Sequence, residues 1–82
     1  MIHVRYFAGA KAAAGVDAER LELPAGSTVL EVLEVLRDRH GEGLARVLDA
    51  ASFLVDGVAV RDKRATLADG VELDVLPPFA GG

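Results

Sequence analysis

Apolar and polar residues alternate from the start of the chain. Ile2, Val4 and Tyr6 fall in one phase and His3, Arg5 and Phe7 in the other, so residues 2–8 predict a strand. The alanine-rich stretch AGAKAAAG predicts a short helix ending near Gly15, and Glu19 to Leu23 a second strand closed by Pro24-Ala25-Gly26. The period then lengthens. In STVLEVLEVLRDRHG, Val29, Val32, Leu33 and Leu36 recur on one face of a helix. Thr28 and Glu31 have the spacing of a capping box, in which each side chain satisfies an orphan amide at the helix start. Arg37, Arg39 and His40 occupy the last turn, where cations suit the free carbonyls, and Gly41 supplies the stop. A second helix runs roughly from Leu44 to Ala50. Phe53 to Asp56 reads as a strand, Asp56-Gly57 as a hairpin turn and Val58-Ala59-Val60 as the return strand. After Asp69-Gly70, Val71, Leu73 and Val75 alternate with Glu72 and Asp74 in a last strand that runs into LPPFAGG.

This order, β-β-α-(α)-β-β-β, predicts an α+β fold. Its expected form is a mixed sheet of about five strands with one long packed helix and one or two short ones, the ubiquitin-like β-grasp arrangement. Residues 1–76 form the domain and residues 77–82 an extended carboxyl-terminal tail. No internal repeat, low-complexity linker or second domain interrupts the pattern.

Composition narrows the function. With 51% hydrophobic residues the chain can build a core, although at 82 residues that core is small. The net charge is −4, and the arginines and two lysines are scattered, so no basic stripe points to nucleic acid. Cysteine is absent, which excludes a disulfide, a thiolate metal site and a cysteine nucleophile. MIHVRYFAGA lacks the pattern of a signal peptide and no apolar run reaches membrane-spanning length, so a cytoplasmic protein with no membrane partner is expected.

Ordinary active-site chemistry is missing. His3 is out of phase with the core and His40 lies at a helix end. The carboxylates read as solvent-facing, and no metal-ligand spacing occurs. GAKAAAG lacks the order of a phosphate loop, and Ser27 and Ser52 read as helix-entry and loop residues.

The tail offers something else. Pro77 and Pro78 fix φ and favour a stiff extended arm, with a reach of roughly 20 Å from Pro77 to the end. Gly81 and Gly82 carry no side chains and can enter a channel as narrow as a backbone. A free carboxylate is a poor electrophile. Adenylation by another enzyme would make it a reactive acyl anhydride, and a sulfur nucleophile could then replace AMP to leave a thiocarboxylate on Gly82. Phe7 and Leu76 are out of phase with the core-facing residues. If the first and last strands are neighbours, these two form an apolar docking patch beside the tail, which Phe79 and Ala80 extend. The bland alternative for Phe7 is a second layer of core.

Three stretches carry a family resemblance across essentially the whole chain: IHVRYFAGAKAAAG, STVLEVLEVL and, most specifically, DGVELDVLPPFAGG. They resemble the MoaD-type proteins, the small sulfur-carrier subunits of molybdopterin synthase. The resemblance implies an ATP-dependent, E1-like enzyme that adenylates Gly82, with Gly81 beside it, and a sulfurtransferase that converts it to thiocarboxylate. Pro77, Pro78, Phe79 and Ala80 would then enter the large catalytic subunit, which passes the sulfur to a cyclic pterin precursor. A dithiolene needs two sulfurs, hence two loaded carriers, and the implied assembly is a dimer of large subunits with a carrier at each end. No cofactor is expected on this chain itself, since the ATP is used by the activating enzyme. The chain departs from the family at Asp56, often asparagine, at Phe79, commonly smaller, and in its alanine-rich first helix.

Other readings stay open. The same fold carries sulfur for thiamine, cysteine or tRNA thiolation, although thiamine-type carriers are usually shorter and lack the Pro-Pro. A protein modifier would join Gly82 to a target lysine. A plain interaction domain would have an inert tail.

Overall fold

The structure, a computed structural model, describes residues 1–79; the expectations placed on Ala80, Gly81 and Gly82 lie outside the described residues. Its strands are β1 (Ile2–Tyr6), β2 (Ala18–Leu21), β3 (Ser52–Val55), β4 (Val58–Ala59) and β5 (Glu72–Leu76). Its helices are α1 (Gly9–Ala14), α2 (Val29–His40) and α3 (Glu42–Ala50). The five strands form one mixed sheet in the order β2-β1-β5-β3-β4, with β1 and β5 parallel at its centre and the other pairs antiparallel. This is the α+β, β-grasp arrangement expected from the sequence.

Strand parity decides what is buried. Val4 and Tyr6 of β1 face Leu73 and Val75 of β5, and Val75 faces Phe53 of β3. All five side chains are at most 3% exposed, because they share the inner face of the sheet with the helices. The helical layer meets them with Val29, Val32, Leu33 and Leu36 of α2, Leu44 and Leu48 of α3, and Ala10 of α1. The capping box forms as expected: Glu31 donates its amide to Thr28 Oγ1 at 3.2 Å, and Thr28 donates its own to Glu31 Oε1 at 2.9 Å. Gly41 ends α2 with its amide on the Arg37 carbonyl and leads directly into α3, which therefore starts two residues earlier than the sequence suggests. Asp56 and Gly57 both take positive φ, 47° and 82°, the geometry of a tight hairpin whose twist matches its strands.

The first strand stops at Tyr6 rather than near residue 8. Phe7 still donates its amide to the Val75 carbonyl at 3.0 Å, but Ala8 then turns the chain at φ 51° and ψ −124°. The turn closes with Ala10 donating to the Phe7 carbonyl at 3.0 Å, and α1 follows on the inner side. β2 likewise ends at Leu21, and Val60 lies beyond β4, although its amide still bonds the Phe53 carbonyl at 2.9 Å.

Candidate functional site

Among the described residues, no helix covers the outer face of the sheet. Parity places Phe7 and Leu76 there as neighbours, since Tyr6 and Val75 are register partners one residue earlier. Both are half-buried rather than openly exposed. Part of the cover comes from Arg5, whose guanidinium lies 5.3 Å from the centre of the Phe7 ring, within cation–π range. Leu54 shares this face, and its register partner on β5 is Asp74.

Asp74 is a carboxylate at the centre of an uncovered face, yet it is 5% exposed. Arg5, its register partner on β1, lies over it. Arg5 Nε donates to Asp74 Oδ1 at 2.8 Å and Nη2 to Oδ2 at 3.0 Å, a two-bond fork, while Glu72 Oε1 lies 3.1 Å from the same Nη2. The hydrogen bond to Asp74 is the main reason that the Arg5 pKa is raised; it outweighs the opposing effect of burial. The expectation that the carboxylates face solvent thus fails at Asp74.

It fails at Glu19 too. Glu19 faces Val4 across the β1–β2 ladder and therefore belongs to the inner face, at its margin. There it accepts hydrogen bonds from Tyr6 Oη at 2.5 Å and from Arg39 Nη1 at 2.8 Å, and it contacts His40 Nε2. Burial pushes its carboxyl upward, but the bonds from Tyr6, Arg39 and His40 together outweigh burial and hold the pKa below the ordinary carboxylate range. Tyr6 moves the other way: burial first, and then the bond to Glu19, push its phenol well above the usual value. His40 is thus a strut between α2 and the edge strand.

The tail starts at the end of the outer face. Pro77 and Pro78 are exposed, and Phe79 is 48% exposed. Phe79 donates its amide to Ser52 Oγ at 2.9 Å. Ser52 begins β3 and is not a loop residue as the sequence suggested. Of the sequence-identified residues, the structure therefore brings Phe7 and Leu76 together, continues them into Pro77, Pro78 and Phe79, and leaves Ala80, Gly81 and Gly82 undescribed. Arg5 and Asp74 were not singled out from the sequence, and Ser52 was read there only as a loop residue. Arg5 and Asp74 share the parity of Phe7 and Leu76, so the signal exists once the β1–β5 register is known.

Comparisons with known proteins bear on the family and the fold. Residues 4–82 match the pattern that defines the ThiS family. The chain is 32% identical to the human molybdopterin synthase sulfur carrier subunit, over 99% of this chain and 93% of that protein. It is 35% identical to the Chlamydomonas reinhardtii protein of the same name, covering 99% and 98% respectively. Among solved structures, the small archaeal modifier protein 1 of Haloferax volcanii is 27% identical and superimposes with a TM-score of 0.80, over 94% of this chain and 95% of that one. Fold and sequence agree along nearly the whole length, and the chain belongs to the ThiS family.

Proposed function

We propose that this chain is the sulfur-carrier small subunit of a molybdopterin synthase, with Gly82 as the atom-carrying end. The observation that supports this most directly is the continuity of the uncovered face with the tail. Phe7 and Leu76 are neighbours across the central strands, and Leu76 leads at once into Pro77, Pro78 and Phe79. A partner that covers this face receives the tail in the same event. Burying one aromatic such as Phe79 contributes about 1.5–3 kcal/mol before association costs.

The chemistry is supplied in trans. An E1-like enzyme directs the Gly82 carboxylate to the α-phosphorus of ATP, releasing pyrophosphate and forming the acyl-adenylate. The terminal sulfur of a sulfurtransferase persulfide attacks the acyl carbon and AMP leaves. A thiol then cleaves the resulting acyl disulfide, forming a disulfide with the sulfurtransferase sulfur, so Gly82 ends as a thiocarboxylate. In the large synthase subunit this sulfur attacks a carbon of the pterin precursor and displaces an oxygen substituent from it. Water then hydrolyses the acyl–sulfur bond, which leaves the sulfur on the pterin and returns the Gly82 carboxylate. Gly81 and Ala80 keep the reacting end slim. This chain binds no cofactor in the reading and works in the cytoplasm, where activating enzyme and synthase meet it.

Intact mass tests the proposal after incubation with ATP, a sulfur donor and the E1-like enzyme of the same organism. The expected shift is one oxygen replaced by sulfur, absent from a Gly82-deleted variant. An unchanged mass beside a control carrier that is loaded would sink it in favour of a plain interaction domain. The similarity to a small archaeal modifier protein supports a second use of the same activated end, attack by a target lysine. That outcome would show as a covalent adduct lost with Gly82. A mass shift without transfer to the pterin precursor would point instead to a carrier for thiamine, cysteine or tRNA thiolation.

A further inference from the structure

The β3–β5 ladder closes with Ser52 opposite Leu76. Pro77 and Pro78 have no N–H with which to continue it, so the next backbone donor along the chain is the amide of Phe79. That amide is taken by the Ser52 side chain at 2.9 Å. One residue of β3 thus faces the last residue of β5 and also holds the chain three residues further on.

Parity fixes the side of the sheet on which this happens. Phe53 and Val75 face each other and are buried under the helices. Ser52 and Leu76, one step along each strand, therefore belong to the outer face. Chain bonded to Ser52 Oγ is drawn to the uncovered face that holds Phe7 and Leu76 and away from the helical layer.

We propose that Ser52 is a positioning residue for the carboxyl-terminal tail: its hydroxyl brackets the Pro77-Pro78 arch and sets the root of the tail on the face that the partner covers. The proposal rests on the reading of that face and tail as the docking and transfer site. Without the bracket, the chain pivots at Leu76 with a contour of ~20 Å. With it, the last held point moves to Phe79, three residues and ~10 Å of contour from the end of the chain. A partner then meets a tail whose exit is already set, and docking loses less conformational freedom. Alanine at position 52 would leave the Phe79 amide to water. Threonine keeps the hydroxyl and suits a strand.

The test uses the full chain as wild type, Ser52→Ala and Ser52→Thr. Amide hydrogen exchange at Phe79 is followed by NMR. Steady-state sulfur transfer is measured from the thiocarboxylated chain through the large synthase subunit of the same organism. In Ser52→Ala the Phe79 amide should exchange about two- to tenfold faster, the span of one net hydrogen bond, while the amides of Phe53 to Val55 keep their rates. KM for the carrier should rise by a similar factor with kcat unchanged, and Ser52→Thr should restore both readouts. Equal Phe79 exchange in wild type and Ser52→Ala would overturn the bracket. A freed amide with an unchanged KM would overturn its use in docking. If the wild-type chain accepts no sulfur, the carrier reading falls and the docking half of the proposal with it, while the exchange comparison still decides the bracket.

Discussion

The two faces of the sheet solve burial in different ways. Under the helices, Val4, Tyr6, Leu73, Val75 and Phe53 meet the apolar sides of α2 and α3, and the polar groups gather at the margin, where Glu19 joins Tyr6, Arg39 and His40. On the uncovered face the order is reversed. An ion pair, Arg5 with Asp74, sits at the centre, and the apolar pair Phe7 and Leu76 lies toward the tail. Helices dry the first face; on the second, a long arginine lies over a carboxylate and a phenylalanine. A core face can be read as an energy store. The outer face keeps its apolar groups half-covered and its central charges, Arg5 with Asp74 and Glu72, already paired, which suits the docking role proposed for it.

Paired substitutions on β5 break that comparison most strongly. Leu73→Ala removes a fully buried side chain from the inner face and should cost about 2–5 kcal/mol in denaturant unfolding, a large part of a small domain's stability. Leu76→Ala, three residues on and facing outward, should cost less than about 1.5 kcal/mol in the same experiment yet weaken docking on the large subunit severalfold. Equal losses of stability at the two sites would mean that Leu76 is core and that the outer face is not reserved for a partner.

How much of this was legible in the sequence follows the same division. The inner face was readable because period-two and period-3.6 patterns name their own residues: Ile2, Val4, Tyr6, Leu73 and Val75 on strands, Val29, Val32, Leu33 and Leu36 on the helix. The capping box and the Asp56-Gly57 turn are local chemistry and were equally plain. The outer face was half readable. Phe7 and Leu76 stood out by phase, but the fork between Arg5 and Asp74 depends on a parallel register between residues 69 positions apart, which periodicity does not encode. Glu19 was misread as solvent-facing for the same reason, because its three partners come from β1 and the far end of α2. Ser52 looked like a loop residue because one serine before an apolar run carries no strand signal of its own.

The polar margin of the inner face sets the next largest effect. The Glu19 carboxyl has a lower pKa folded than unfolded, so the folded state binds its proton more weakly. The stability it contributes is present above the unfolded value, about 4.3, and is lost as pH falls through the folded value. Asp69 adds an acid-side contribution of the same sign, since its hydrogen bond to the N-terminal ammonium holds its carboxyl low. Glu19→Gln should cost about 1–3 kcal/mol at pH 7 by weakening charge-assisted bonds, and it should flatten unfolding midpoints between pH 6 and pH 3 while leaving the share due to Asp69. Parallel pH profiles for wild type and Glu19→Gln would show that the margin is held by packing and not by this carboxylate.

The smallest expected effect lies where the chain crosses from one face to the other. Phe7 belongs to the outer face and Ala10 is buried on the inner one, and the passage is made at Ala8 with φ 51° and ψ −124°. These angles match the first central position of a type II′ turn, which favours glycine because a Cβ is crowded there. The Ala10 amide on the Phe7 carbonyl closes that turn. Strain at such a residue costs on the order of 1–3 kcal/mol, and glycine gives back about 0.4–1 kcal/mol through the freer unfolded chain. Ala8 is exposed, so losing its methyl group removes little packing. Ala8→Gly should therefore stabilise by about 1 kcal/mol and raise Tm by about 4–8 °C. Its effect on docking separates two uses of the strain. If affinity for the large subunit is kept, the crossing only joins the faces. If affinity falls as stability rises, the strained turn is what holds the Phe7 ring under Arg5.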